Sequence, residues 1–558
     1  MHKTSLLIAI IIVSILIIPT QQIESRTPSA QQQTTNGPLG GGRVLFSPMN
    51  SKMTYIIDES GQINKTWTSS YTPGLSVHWL SDSSILRTTN TGMLGGGVQR
   101  IAWNGMVQWD FQYHNPPQYS AHHEAIQLPN GNVLMIANER KTNQEAVQAG
   151  HDPSTLFFPL DPDYIIEVKP TGPTSGTIVW EWHVWDHLIQ DFDPTKDNYG
   201  NVSQHPELLD INFNDDNDPM PFNWIHINSV DYNPVLDQIL LSARNCNDIW
   251  IIDHSTTTQE AAGHTGGSYG HGGDFLYRWG NPQNYKRGDE SNRQLFFQHY
   301  AKWVKPNCPG AGDILLFNNW IGGAAYSSVD EIVPPVNTNG TYYLPPGGVY
   351  GPTAPVWRYI VSPGSMHISS AERMPNGNTL ICNGEQGLML VVTPDGACVW
   401  QYQYSEPPPL NYLFNADYIP PVTPPTHPNL DTTGSLTWNQ VTPGSTVTGS
   451  FEVKNIGTGI LNWTVNTSSI QWGTWTVTPS NGSTMHSEVV SVSVVVPDVE
   501  DGSFSGYLRV ENVNNASDYS LVPVVCTTPL NQHMFPVHEI SFKAHLWFRF
   551  FLLIRNLS

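Results

Sequence analysis

A histidine, an amide and an arginine occur at residues 224–245, WIHINSVDYNPVLDQILLSARN, among apolar residues that predict two strands and a turn. In an antiparallel pair whose turn is centred near Val235, His226 lies opposite Arg244. Because alternate residues of a strand share a face, His226 and Asn228 project from the same side. An imidazole, an amide and a guanidinium on one patch can hold an oxyanion such as sulfate or phosphate.

Three further segments repeat this order of histidine, strand, turn and strand. They are residues 122–139 (HHEAIQLPNGNVLMIANE), 298–319 (QHYAKWVKPNCPGAGDILLFNN) and 366–387 (MHISSAERMPNGNTLICNGEQG). Their turns carry Pro-Asn-Gly or Pro-Asn, residues that favour or tolerate tight turns. The same pairing rule sets His122 or His123 near Asn138 and Glu139, and His299 near Asn318. If these strands line a common axis, the histidines converge at one mouth of a channel.

Such a histidine cluster has three interpretations. Each histidine could be structural, satisfied by a neighbouring carbonyl. A metal site is disfavoured because Arg244 would repel a cation and carboxylates are few, so no metal is expected. An oxyanion site uses all the residue types present, since imidazoles can donate, accept or attack.

A second repeated element is a short segment that contains a tryptophan. It occurs six times, as INKTWTSSY, MVQWDFQY, TIVWEWHV, FLYRWGNP, PVWRYIV and CVWQYQY. Repeats of roughly forty or more residues, each with several short strands, are typical of a β-propeller. We therefore predict an all-β fold with a six-bladed propeller over residues 40–419; a set of separate sandwiches is the competing arrangement.

Composition narrows the function classes. The 558 residues carry 25 Lys and Arg against 47 Asp and Glu, for a formal charge of −22. This charge repels phosphate backbones and argues against nucleic acid as a partner.

The first 25 residues predict a signal peptide or an N-terminal anchor. Lys3 precedes an apolar run of a secretory type, without a clear cleavage site. Glycosylation sequons, such as those at Asn64 and Asn201, also fit an exported, extracellular or cell-surface protein. The five cysteines permit one or two disulfides after export, with Cys382 and Cys398 the first pair to test; buried free thiols are the alternative.

The chain continues beyond the propeller. Residues 420–430 are a proline-rich linker, and residues 431–528 alternate polar and apolar residues as in an immunoglobulin-like β-sandwich. Residues 529–558 form an apolar tail broken by charges, for which membrane contact and a poorly ordered tail both stay open.

The quoted motifs, together with IWIIDH and GGDFLYRWGNP, resemble the arylsulfotransferase family over roughly residues 122–402. The resemblance implies a six-bladed catalytic propeller that moves a sulfuryl group from a phenolic sulfate to a phenol. It implies a sulfohistidine intermediate and no nucleotide cofactor.

By this resemblance each motif residue acquires a role. His299 is the expected nucleophile, and His226, Asn228 and Arg244 hold the sulfuryl oxygens. His122 is the remaining catalytic histidine, with its neighbour His123 as the alternative. His367 is a channel residue only. The competing function is a non-catalytic propeller that binds a ligand or protein at its channel mouth; a quinoprotein-type dehydrogenase is disfavoured because no acidic calcium constellation recurs. The sequence leaves the oligomeric state open.

Overall fold

The computed structural model describes residues 37–92, 95–213, 224–321, 325–421, 428–457 and 459–529. The predicted leader, residues 422–427 of the linker and residues 530–558 of the tail lie outside these ranges. Two compact units divide the chain, Met1–Pro421 and Val422–Ser558, and each is described by itself.

The first unit is built almost entirely of short strands. In chain order they are β1 (Arg43–Pro48), β2 (Met53–Ile57), β3 (Ile63–Thr68), β4 (Pro73–Trp79), β5 (Ile85–Asn90), β6 (Gly96–Ile101), β7 (Val107–Gln112), β8 (His114–Asn115), β9 (Tyr119–Gln127), β10 (Val133–Glu139), β11 (Asp163–Gly172), β12 (Ser175–His183), β13 (Leu188–Ile189), β14 (Leu209–Asp210), β15 (Ile227–Asn233), β16 (Gln238–Ala243), β17 (Asp248–Asp253), β18 (Tyr277–Trp279), β19 (His299–Trp303), β20 (Ile314–Asn318), β21 (Ser327–Ile332), β22 (Trp357–Val361), β23 (Ser370–Arg373), β24 (Thr379–Asn383), β25 (Leu388–Val392), β26 (Cys398–Gln403) and β27 (Leu413–Ile419).

Helices are few and short. The α-helices are α1 (Asn143–Gln148) and α2 (Thr258–Ala261), and the 3₁₀ turns are Val184–Asp186, Val202–Gln204, Arg244–Cys246, Pro282–Tyr285, Glu290–Asn292 and Gly384–Gln386. Within the described ranges, none of these helices has the length and apolar character of a transmembrane span.

Six antiparallel sets of four strands form the blades of a propeller. Two of the sets, β4–β7 and β9–β12, are joined into one larger sheet by a single parallel bridge between Leu75 and His123, and β8 also pairs with β9. Five sets are consecutive in sequence, namely β4–β7, β9–β12, β15–β18, β19–β22 and β23–β26. The sixth takes its inner strand from the far end of the unit, in the order β27-β1-β2-β3, with Arg43 paired to Ile419. This closure joins the ends of the unit and removes the open edge that a sheet would otherwise expose. The predicted all-β fold with a six-bladed propeller is confirmed.

The repeated tryptophans link each blade to the next. Each of the six lies on the outer strand of its blade and donates its indole N–H to a backbone carbonyl of the following blade. The pairs are Trp67 to Ala102, Trp109 to Ser175, Trp182 to Gly273, Trp279 to Pro352, Trp357 to Pro394 and Trp400 to Glu59, at 2.7–3.0 Å. The last pair runs from the final blade back to the first, so the ring of bonds is continuous.

The second unit contains two packed sheets. Its strands are β28 (Leu430–Thr433), β29 (Leu436–Trp438), β30 (Thr446–Asn455), β31 (Leu461–Asn466), β32 (Thr474–Thr478), β33 (Asn481–Thr484), β34 (Ser487–Val495), β35 (Ser503–Asn512) and β36 (Asn515–Thr527). The sheet orders are β28-β30-β34-β32 and β29-β36-β35-β31-β33, and buried side chains of both sheets, such as Phe451 and Trp463, share one core. An immunoglobulin-like relationship stays a prediction.

Candidate active site

Inner strands of three blades bring histidines together at one end of the channel. His122 and His123 lie on β9, His226 immediately precedes β15, and His299 begins β19. The rings of His226 and His299 are 6.4 Å apart between centroids, and those of His123 and His226 are 4.7 Å apart. His299 and His123 are almost completely buried, with 2% and 6% of their surface exposed.

Local distortions of the inner strands aim these side chains. His123, His226 and Tyr300 have positive φ angles of 54–58°, and the strand registers shift beside all three. Non-glycine residues seldom adopt this left-handed conformation, and bulges of this kind redirect side chains. The repetition at equivalent places in three blades indicates a built feature.

Two acceptors at Nδ1 fix the tautomer of His299, namely the carbonyl of Phe297 at 3.0 Å and the side chain of Asn319. Its amide nitrogen donates to the carbonyls of Ser365 and Ile368, at 2.9 and 3.0 Å. The Oδ1 atom of Asn319 therefore faces Nδ1 of His299 at 2.9 Å and accepts its proton. The lone pair of His299 is left on Nε2, which accepts the backbone N–H of Ile368 at 3.1 Å.

Burial and charge keep His299 neutral. Burial is the largest cause, and the positive charge of Arg244 adds to it, so that the pKa of His299 falls to about 3. The pKa values of His123 and His226 are also well below the usual value, first because of burial and then because of neighbouring histidines and Arg244. Neutral imidazoles can act as nucleophiles or bases at neutral pH.

A chain of hydrogen bonds leads from His226 to a buried carboxylate. His226 Nε2 is 3.1 Å from His123 Nε2, and the Nδ1 atoms of His123 and His122 are 2.8 Å apart. His122 Nε2 lies 3.0 Å from Asp163, which also accepts the N–H of Ile227 at 2.5 Å. With an ionised Asp163 and neutral rings, only one direction satisfies every bond: each histidine donates toward Asp163. His226 then carries its lone pair on Nδ1.

Arg244 supplies the positive charge of the cluster. Its backbone N–H donates to the carbonyl of His226 at 3.1 Å, so the two residues are cross-strand neighbours as the turn position predicts. The guanidinium lies over the ring of Phe297, 4.6 Å from its centroid. Its positive charge helps to lower the pKa values of His123, His226 and His299.

Asn228 and His367 differ in burial and in their contacts. Asn228 is fully buried, and its amide nitrogen donates to the carbonyl of Gln298 at 2.8 Å, so it holds the peptide that precedes His299. Its expected role in holding sulfuryl oxygens stays a prediction. His367 sits at the rim, paired with Glu385 and 43% exposed.

Two predicted pairings are wrong because of the same bulges. Asn138 pairs with Ser120, so Asn138 and Glu139 do not neighbour the histidines of β9. His299 contacts Asn319, whereas Asn318 binds Gln294 and Asp330. Asp163 and Asn319 were not predicted as site residues. The only sequence signal for these two residues is the FNN run at residues 317–319, in which Asn319 is the second Asn.

All five cysteines are free thiols, and Cys382 and Cys398, the first pair to test, form no disulfide. Cys382 lies on β24 opposite Met389, while Cys398 lies opposite Val392 on the far side of β25. A complete strand separates them, which exceeds the reach of a disulfide. Cys246 and Cys308, near the site in sequence, are buried and likewise unlinked.

A cavity of about 600 Å³ contains none of the predicted site residues. Its lining includes Tyr300, Lys302 and Asp417.

The sequence model of the family described as "Arylsulfotransferase (ASST)" matches residues 30–323. No curated protein matches the chain significantly. Similar solved structures include a protein of unknown function from Bacteroides caccae (12% identity, TM-score 0.37, covering 68% of this chain and 99% of that one). A streptogramin B lyase (12%, 0.31, 65% and 80%) and a putative 6-phosphogluconolactonase from Bacteroides fragilis (11%, 0.32, 70% and 99%) are also similar.

Proposed function

Because the chain belongs to the arylsulfotransferase family, we propose that it transfers a sulfuryl group from a phenolic sulfate to a phenol through a sulfohistidine on His299. Family membership supports aryl sulfotransferase activity in general, with a sulfate donor and a phenol acceptor. The observation that carries the finer proposal is the neutral His299, whose lone pair is on Nε2 and whose pKa is lowered by burial and by the charge of Arg244.

In the first half-reaction Nε2 of His299 attacks sulfur. The N–S bond forms as the bond from sulfur to the phenolic oxygen breaks, and the phenolate leaves. Arg244 offsets the negative charge of the sulfuryl oxygens. The backbone N–H of Ile368 must leave Nε2 during the attack, and in our scheme it then donates to a sulfuryl oxygen.

In the second half-reaction the acceptor phenol needs a base. His226 takes the phenolic proton on Nδ1, the phenolic oxygen attacks sulfur, and the N–S bond breaks to return neutral His299. His123, His122 and Asp163 support this step, because protons moving along their chain leave the new positive charge beside a carboxylate. A bound sulfuryl group offsets the charge of Arg244 and so raises the pKa of His226 from its lowered value.

We extend the proposal to export. The apolar run within residues 1–25 supports entry into a secretory route, and it would place the enzyme outside the cell or at its surface. Membrane or cell-surface attachment, through an uncleaved leader or the apolar tail, belongs to the same proposal.

Brief exposure to 4-nitrophenyl sulfate tests the mechanism directly. The reaction is quenched rapidly at high pH, because phosphoryl and sulfuryl adducts of histidine survive better there than in acid. Mass spectrometry should then show one sulfuryl group on the peptide containing His299. His299→Ala should lose both the adduct and nitrophenolate release, and the rim variant His367→Ala should keep both. An adduct on another histidine would overturn the role of His299. Absence of any adduct and any release with several donors would favour the non-catalytic propeller.

A further inference from the structure

Three potential metal ligands meet away from the histidine site. Nδ1 of His187 and Nδ1 of His264 each lie 2.8 Å from the same Oδ1 atom of Asp274. The three ligand atoms are all within 4.8 Å of one another. His187 follows the 3₁₀ turn Val184–Asp186, and the other two belong to the segment between α2 and β18, so none of them lies on an inner strand.

The partner of Nε2 determines which nitrogen of His187 carries a hydrogen. Nε2 lies 2.8 Å from the carbonyl of Ala261, which can only accept, so Nε2 carries a hydrogen. In the neutral ring, Nδ1 then presents a lone pair to a carboxylate oxygen that also only accepts. A proton or a metal cation must lie between the two atoms. A histidine that donates its other N–H to a backbone carbonyl is the usual arrangement around a protein-bound metal.

The surroundings hold this geometry rigidly. His187 is completely buried and stacks on Trp182 with ring centroids 5.5 Å apart and planes 7° apart. Trp182 donates in turn to the carbonyl of Gly273, immediately before Asp274. A side chain at Gly273 would collide with Nε2 of His187, at 2.6 Å, which explains a glycine there. Two of the three ligands are thus fixed by packing before any ion binds.

The geometry points to a binding site for a first-row transition-metal dication, such as Zn²⁺, formed by His187, His264 and Asp274. Two imidazole nitrogens with one carboxylate suit Zn²⁺ and its neighbours, whereas Ca²⁺ and Mg²⁺ select oxygen ligands. Three protein ligands leave one tetrahedral position for water. His264 and Asp274 line a cavity of about 570 Å³ that has room for it.

A metal here would join two separate segments of the chain. His187 belongs to the connection between the third and fourth blades, and His264 and Asp274 belong to an excursion within the fourth blade. Coordination would clamp these excursions together, so its expected effect is on stability, not on sulfuryl transfer.

The competing arrangement is a doubly protonated His187 paired with ionised Asp274. This arrangement accounts for the same distances without a metal ion. It predicts that His264 binds no cation and that the protein has no saturable metal site here. The two arrangements therefore differ in one measurable property.

Calorimetric titration of the full chain with Zn²⁺, after treatment with a chelator and dialysis, decides between them. We expect one equivalent to bind, Tm to rise with Zn²⁺ concentration, and Co²⁺ to give the visible absorption of tetrahedral coordination. His264→Ala should weaken binding at least tenfold and abolish the Zn²⁺-dependent rise in Tm. This side chain is 59% exposed, so its removal leaves the packed residues in place.

His205→Ala is the matched control, since His205 lines the same cavity but pairs with Glu207 instead of Asp274. It should bind Zn²⁺ like the wild type. Asp274→Asn, with folding checked by circular dichroism, should also lose the site. No saturable binding, or binding that survives in both His264→Ala and Asp274→Asn, would overturn the proposal. Since these residues lie outside the histidine site, the result is independent of whether sulfuryl transfer is found.

Discussion

Asn319 Oδ1 lies 2.9 Å from Nδ1 of His299 and accepts the hydrogen of that nitrogen together with the carbonyl of Phe297, at 3.0 Å. Because the amide nitrogen of Asn319 is held by two backbone carbonyls, the amide cannot turn without breaking both bonds. A nucleophilic histidine needs its lone pair on the nitrogen that faces the substrate. The backbone N–H of Ile368 selects the same tautomer from the other side of the ring.

Replacement of Asn319 by leucine should lower kcat for sulfuryl transfer by about 100-fold, since losing a partner that orients a catalytic histidine has effects of this size or larger. The thermal stability should fall much less, because the surrounding strands remain. Steady-state rates with 4-nitrophenyl sulfate and phenol, beside a melting curve, check the prediction. A variant with normal kcat would show that the tautomer is set without Asn319.

Asn319→Asp offers a second test of the same contact. A carboxylate beside Nδ1 stabilises the imidazolium, so the pKa of His299 should rise from about 3. The acid limb of kcat/KM should then move to higher pH than in the wild type. An unchanged limb would mean that His299 is not the group whose ionisation controls the rate.

The wild-type pH profile follows from the neutral state of His299. The reactive form is the unprotonated ring, which is present above its pKa of about 3 and is lost as pH falls through that value. Between pH 7 and pH 5, kcat/KM should therefore change less than about twofold, whereas a nucleophile with an ordinary imidazole pKa near 6.5 would lose about 25-fold. Initial rates in buffers of constant ionic strength measure this. A steep fall below pH 7 would contradict the burial of the nucleophile.

Removal of the proposed base should separate the two half-reactions. Phenol is a weak acid and needs a base before it attacks, while nitrophenolate leaves without much help. His226→Ala should therefore still release a burst of nitrophenolate equal to the enzyme concentration, followed by turnover slowed by about 10²–10⁴. Stopped-flow absorbance resolves the two phases. Loss of the burst itself would assign His226 to the first step instead.

The fold was predictable because its signals are local and repeated. Six tryptophan-bearing strands gave the blade number, and each tryptophan closes onto the next blade. The site was predictable only in part. His226 and Arg244 are neighbours because a short turn fixes their pairing. The contacts of His123 and His299 depend on left-handed residues that are not glycine or asparagine, and therefore on tertiary packing that no local pattern encodes. Asp163 lies on the third strand of its blade, outside the β9–β10 hairpin, so the turn of that hairpin does not reveal its contact with His122. Asn319 lies one residue beyond β20, and the register shift of β19 sets it beside His299 in place of Asn318.

The raised pKa of His78 predicts that the protein loses stability at alkaline pH. Burial lowers its pKa, but Asp417 and Glu124 outweigh burial and raise the pKa to about 9. The protonated ring thus stabilises the fold fully below pH 6.5, the unfolded pKa, and this contribution is lost as pH rises through about 9. A rise of this size corresponds to about 3 kcal/mol.

Urea unfolding of wild type and His78→Gln at pH 6, 8 and 10 tests this contribution. The free energy of unfolding of the wild type minus that of the variant should shrink by up to about 3 kcal/mol between pH 6 and pH 10. Lysines and tyrosines that titrate in both proteins cancel in the difference. A difference independent of pH would show that His78 is neutral in the folded protein, and that Asp417 and Glu124 are balanced by Lys302 and its neighbours instead.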